Sequence, residues 1–239
     1  MATTLEWLLE LQEGDLDIDQ HLHRRTTLPE RAELKANREG AQRQLADAAQ
    51  VRTRLDEVVQ RQQRLESDLE ASEARIREVE RRLYSGEVSA SRELQAMAAE
   101  AAALRARSSE LEDRVLAVLE EREPLDATLA AAETEQRVNA TERQAIEERL
   151  AAGEAVIDRE LAALNEARGS LALHLPPELL ATYERLRSRL GGIGAARLVG
   201  DRCGGCHLNL PATELDKLRH TAKEVVSYCD QCGRILVRA

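Results

Sequence analysis

The chain has 239 residues, with 34 Lys and Arg against 44 Asp and Glu and a formal net charge of −10. With no Phe, one Trp and three Tyr it lacks the aromatic side chains that dominate a thick globular core. Its weight of Ala, Glu, Leu and Arg points instead to long helices or coiled coil. No stretch approaches the roughly 18 consecutive apolar residues of a membrane-spanning helix, so no membrane partner is expected.

The first residues, MATTLEWLLELQEGDLDIDQ, have no basic region and reach carboxylates within a few positions. This predicts no secretory leader and a cytoplasmic location, where paired cysteines mean metal or catalysis more often than disulfides. Leu5, Leu8, Leu9 and Leu16 predict a short, separate amphipathic helix. The segment TTLPE then breaks it: Pro29 disfavours helix at Leu28 and suits the first turn of the next one.

From Leu34 a seven-residue repeat takes over. Its a positions are Leu34, Ala41, Ala48, Leu55, Gln62, Leu69, Ile76 and Leu83, and its d positions are Asn37, Gln44, Val51, Val58, Leu65, Ser72 and Val79. Eleven of these fifteen are apolar, a longer run than the three or four heptads that indicate a coiled coil. Gln62 within that seam is expected to fix register. The repeat stops at LYSGEVSASRELQAM, where Gly86 marks a turn and Ser89 or Ser91 is expected to cap a new helix.

A second seam runs from Leu94 through Met97, Ala101, Leu104, Leu111, Val115, Val118, Leu125, Leu129 and Ala132. It weakens over Gln136, Asn139 and Arg143 and resumes at Ile146, Leu150, Ile157 and Leu164. Two such helices joined by a short turn predict an antiparallel hairpin, a rod on the order of 80 Å long at about 1.5 Å per residue. Pro124 should kink the second arm or remove one hydrogen bond. After Pro176-Pro177 a further helix restarts and is expected to pack on the N-terminal one, with Trp7 and Tyr183 in their small core. GGIGAARLVG lacks the preceding strand and the Lys-Ser/Thr pair of a phosphate loop and reads as a hinge or strand lead-in.

The last segment differs in charge: residues 185–239 hold ten Lys and Arg against five Asp and Glu. Within it Cys203 and Cys206 form one C-x-x-C, and Cys229 and Cys232 form a second after 22 intervening residues. C-x-x-C-H at 203–207 also fits haem attachment, and C-x-x-C alone fits a redox dithiol. The second pair, the missing export signal and the absence of a βαβ context favour one tetrahedral zinc bound by four thiolates. With every coordination position filled by sulfur, that zinc is structural. RLVG, EVVSY and RILVR read as short strands and PATELDKLRHT as a short helix. Gly204 and Gly205 are expected to free the first knuckle of clashes, and Gly233 to let the second reverse. His207 and His220 are expected to face solvent, and His21, His23 and His174 to be surface or helix-end residues. About 40 residues with few large apolar side chains should owe most of their stability to the metal.

CGGC, then YCDQCGRIL, behind a hairpin whose tip reads YSGEVSASRELQAM, resembles the bacterial C4 zinc-ribbon and coiled-coil hairpin family over essentially the whole chain. The resemblance implies a helical hairpin with a compact zinc-ribbon head and no enzymatic activity. Flagellar members of that family stabilise an alternative sigma factor and bind a flagellin messenger RNA, which implies a partner in transcription. Cys203, Cys206, Cys229 and Cys232 carry over residue by residue; a partner-binding surface does not.

The sequence thus predicts a mainly α chain: a coiled-coil hairpin with base helices over 1–190, turning near 84–91, and a C4 zinc ribbon over 191–239. The expected function is a non-enzymatic adaptor for a protein partner, with no small-molecule substrate. The alternative is RNA or DNA binding by the head, with Arg197, Arg202, Lys217, Arg219, Lys223, Arg234 and Arg238 neutralising phosphates.

Overall fold

In the computed structural model, which describes residues 3–222 and 225–238, the helices come first and the strands are confined to the C-terminal end. Helices α1 (Thr4–Thr26), α2 (Pro29–Tyr84), α3 (Ser91–Ala172) and α4 (Pro177–Arg189) precede β1 (Ala195–Val199) and β2 (Arg202–Cys203). Helix α5 (Ala212–His220) and strands β3 (Ser227–Tyr228) and β4 (Ile235–Arg238) follow. Two compact units result: Glu33–Ala145, and Met1–Ala32 together with Ile146–Ala239. No described helix is long and apolar enough to cross a membrane.

The unit Glu33–Ala145 is a helical hairpin. All fifteen seam positions of its first arm are buried or half-buried, because a 3.5-residue spacing keeps one stripe facing the partner helix. Val58, Leu65, Leu111 and Val118 form one apolar cluster; Val79, Met97 and Ala101 form another nearer the turn. Ser108, buried at 7% exposure, continues the second seam between Leu104 and Leu111. Among the polar seam positions, Asn37, Gln44 and Gln62 find partners across the hairpin, while the buried Ser72 hydroxyl has none among the described residues. Gln62 accepts a hydrogen bond from the Arg122 guanidinium at 3.2 Å, and Asn139 donates to the Gln44 side-chain oxygen. Such pairs fix register at some cost in stability.

In three places this hairpin corrects or sharpens the sequence expectation. Neither serine caps α3: its first helical bond runs from Leu94 N–H to the Ala90 carbonyl at 3.1 Å, which makes Ala90 the cap position. Arg143 is exposed, since its long charged chain finds no place in a seam of Ala and Asn. Of the two outcomes expected at Pro124 the milder holds: helix α3 continues unbroken through this exposed position, which simply has no N–H to donate.

In the other unit, α1 begins with a capping box: Glu6 N–H donates to the Thr3 hydroxyl and Thr3 N–H to the Glu6 carboxylate. At 23 residues it is longer than a short base helix. Its buried stripe is Leu5, Leu8, Leu9, Leu11, Gln12, Asp15 and Ile18. Leu16, expected on that stripe, is 40% exposed, because positions spaced three and four apart from Leu8 and Leu11 arrive at Asp15. The first half of α1 joins Tyr183 of α4 and Ala195, Ile235 and Val237 of the strands in one core. The second half packs Ile18 on Ile157 and Leu161 of α3. Leu8 and Leu11 are fully buried, worth about 1.5–3 kcal/mol each.

Two polar side chains complete this base. Asp15, 1% exposed, accepts from Arg168 Nε at 2.6 Å and from the Tyr183 hydroxyl at 2.6 Å, with Arg187 Nε 3.4 Å away. Gln12 donates to the Gly192 carbonyl at 2.9 Å and accepts from Gly194 N–H at 2.7 Å, tying the glycine-rich connector to α1. Tyr183 is fully buried, as a core residue should be. Trp7 is half-buried and stacks on His174 with ring centroids 4.6 Å apart.

The strands form one sheet in the order β2-β1-β4-β3. β1 and β4 run parallel, with Ala195 opposite Ile235 and Leu198 opposite Arg238, and the outer pairs are antiparallel. One set of their residues enters the base core. Another set, with Ala196 and Leu236, packs on Cys203, Cys229, Leu210 and Leu218. The ribbon is therefore built onto α1 and α4, where the sequence led us to expect a self-contained head.

Candidate metal centre

Each C-x-x-C folds into the same small turn. In the first, His207 N–H donates to the Cys203 carbonyl at 2.8 Å and Cys203 N–H to the Leu208 carbonyl at 3.0 Å. In the second, Gly233 N–H donates to the Cys229 carbonyl at 2.7 Å and Cys229 N–H to the Arg234 carbonyl at 2.9 Å. The turn needs a left-handed residue after its second cysteine, and Gly233 supplies it with φ 74°. His207 holds the equivalent place at φ 60°, a conformation costing most L-residues about 1–2 kcal/mol. A Cβ on Gly204 would stand 2.9 Å from the Arg197 carbonyl oxygen, so the first knuckle requires glycine there for close approach.

These turns bring four sulfurs together. Cys203 and Cys232 Sγ are 3.9 Å apart, Cys206 and Cys229 Sγ 4.0 Å, and all four lie within 4.8 Å of one another. A tetrahedral ion with metal–sulfur bonds of about 2.3 Å sets its sulfurs about 3.8 Å apart, so the thiols fit one zinc. They are free thiols, two buried and two half-buried. Burial pushes Cys229 up to about 12 and raises Cys203 as well. Burial acts the same way on Cys232, but hydrogen bonds from Arg234 and the neighbouring thiols outweigh it and bring that thiol down to about 7. All four positions of the tetrahedron are taken by sulfur, so the zinc holds the fold and has no site for a reacting water.

Contacts around the knuckles come from residues whose roles the spacing alone does not reveal. Glu214 of α5, 7% exposed, accepts from Asp230 N–H inside the second knuckle at 3.0 Å. Arg202 Nε donates to the His207 carbonyl at 2.8 Å. Arg234 donates to the carbonyls of Ile193 and Leu190, both at 3.0 Å. Arg238 closes the end of α5 with bonds to the Thr221 carbonyl at 2.8 Å and the Ala222 carbonyl at 2.6 Å.

The seven basic residues expected to face phosphates therefore divide. Arg234 and Arg238 are half-buried and engaged with backbone carbonyls, while Arg202 is exposed and gives only its Nε to the His207 carbonyl. Arg197, Lys217 and Arg219 are exposed, and Lys223 lies outside the described residues. Tyr228, the one aromatic of the module, is 47% exposed on edge strand β3. His207 is exposed and stands in the turn, not on the metal. His220 sits at the end of α5, its Nδ1 2.8 Å from the Asp216 carbonyl.

Residues 11–191 match the CT398-like coiled coil hairpin domain, and residues 202–236 match the C4-type zinc ribbon domain. An uncharacterized protein of Mycobacterium tuberculosis is 34% identical over 97% of this chain and 94% of its own length. A solved structure from Mycobacterium smegmatis is similar at 26% identity and TM-score 0.73, covering 97% of this chain and 96% of that one. The CT398 structure from Chlamydia trachomatis shares the fold at 21% identity and TM-score 0.58, covering 99% of this chain and 98% of that one.

Proposed function

Because the chain belongs to the family of CT398-like coiled-coil hairpin proteins and carries a C4-type zinc ribbon, we propose that it is a non-enzymatic adaptor whose surfaces bind a protein partner. The observation that carries this reading is the saturated metal centre. Four thiolates within 4.8 Å of one another consume every coordination position, which leaves the zinc a purely structural part. What remains to act is surface: a hairpin with charged outer faces and a ribbon of opposite net charge. A component of the transcription machinery is the first partner class to test.

Nucleic-acid binding by the ribbon is the second reading, and the exposed Arg197, Lys217 and Arg219 favour it. Against it, Arg234 and Arg238 direct most of their donors at backbone carbonyls. Deleting the ribbon would strip Ile235 and Val237 from the base core, so the test uses the full chain. Photo-crosslinking in cells should capture a protein on wild type, and purified chain should show no salt-dependent shift of RNA or DNA. Binding of nucleic acid that weakens steeply with salt, with no protein crosslinked, would overturn the adaptor reading.

A further inference from the structure

Helix α5 and the adjoining ends of β1 and β4 enclose a groove of about 370 Å³ on the ribbon. Its floor is Leu198, Leu215 and Leu218. The first two are only half-buried and leave apolar surface for another aliphatic group to cover. Its rim carries two guanidinium groups, those of Arg219 and Arg238. Arg238 turns both terminal nitrogens onto the carbonyls that end α5, so it contributes fixed positive charge. Arg219 is exposed and makes no ion pair among the described residues, so its donors are available. One side is formed by Gly200, with nothing within 4 Å of where a Cβ would stand; an extended backbone can pass close there.

We propose that this groove takes a short extended segment of a partner protein, an aliphatic side chain on the leucine floor and a neighbouring carboxylate on Arg219. The assignment rests on the adaptor reading and names the chemistry its partner must offer. Charge complementarity selects the occupant: residues 185–239 carry ten Lys and Arg against five Asp and Glu. The floor selects it too. No aromatic ring lines the groove to stack a base, whereas single-stranded nucleic acid gains much of its affinity from such stacking.

The test pans a phage-displayed library of random peptides against the full, zinc-loaded chain and measures the enriched peptides by fluorescence polarisation. Enrichment of Leu, Ile or Met beside Asp or Glu is expected. Arg219→Glu should weaken binding at least about tenfold, as loss and reversal of a partly desolvated charge contact does. Arg219→Lys should keep most of it, and Arg185→Glu, on an exposed residue of α4 away from the groove, should change nothing. Zinc content and helicity of each variant confirm that it is folded. Enriched peptides without that pattern, or binding indifferent to Arg219→Glu, would overturn the proposal, as would displacement of the peptide by an oligouridine RNA at low salt. A cellular protein crosslinked only to the hairpin would leave the adaptor reading standing and remove the groove.

Discussion

Replacing Asp15 with alanine should be the most damaging single polar change in the base of this protein. The carboxylate is 1% exposed and receives Arg168 and the Tyr183 hydroxyl, each at 2.6 Å. Removing one partner of a buried ion pair costs about 3–5 kcal/mol. Here the low end applies. The Arg168 and Arg187 side chains are 24% and 21% exposed and keep a second carboxylate each, Glu184 and Asp19. We therefore expect a loss of about 3 kcal/mol. The assay is urea unfolding followed by fluorescence of Trp7, the single tryptophan of the chain, which packs against the same core. Tyr183→Phe keeps the volume and loses one hydrogen bond to a charged acceptor, about 1.5–3 kcal/mol. Asp17→Ala, on the exposed face of α1, should stay within about 0.5 kcal/mol of wild type. If Asp15→Ala costs no more than Asp17→Ala, the polar cluster contributes nothing and the reasoning fails.

His207→Gly relieves a left-handed residue and should stabilise the zinc-loaded chain by about 1 kcal/mol; an unchanged or lowered thermal midpoint would show the turn to be unstrained. Glu214→Ala leaves Asp230 N–H without its acceptor and should speed zinc loss to a colorimetric chelator about tenfold, while equal rates would make Glu214 irrelevant to the knuckle. Tyr183 holds its proton well above the ordinary value near 10, first because it is buried and then because Asp15 opposes its ionisation. The unfolded chain releases that proton near pH 10, so above it the folded state binds more protons. Stability should then fall by up to about 1.4 kcal/mol per pH unit. In urea titrations from pH 9 to 11, Tyr183→Phe should lose that slope, and equal slopes would refute the assignment.

The hairpin seam was legible because a coiled coil writes its contact face into spacing: from Leu34 to Leu83 no seam residue is exposed. The four cysteines were legible for a similar reason, since a knuckle is a local turn and the tetrahedron needs two of them. Helix α1 was not. Its stripe passes through Gln12 and Asp15, which spacing rules reject as core, and exposes Leu16. The groups that make them acceptable stand 153 to 182 residues away in the chain. The parallel pairing of β1 with β4 was equally hidden, and with it the core shared between ribbon and base. Arg234 and Arg238 read as surface charge for the same reason, because the carbonyls they bind gather only on folding.

Through that shared core, zinc holds a ribbon on which the base helices depend. Hydrogen exchange of α1 measured on the full chain, alongside its zinc content, as a chelator withdraws the metal, tests it most directly. We predict one zinc per chain at the outset, and loss of protection across Thr4–Thr26 in step with zinc removal. Less than about half an equivalent of zinc after reducing, metal-replete purification, or full protection of α1 after the metal has gone, would contradict it.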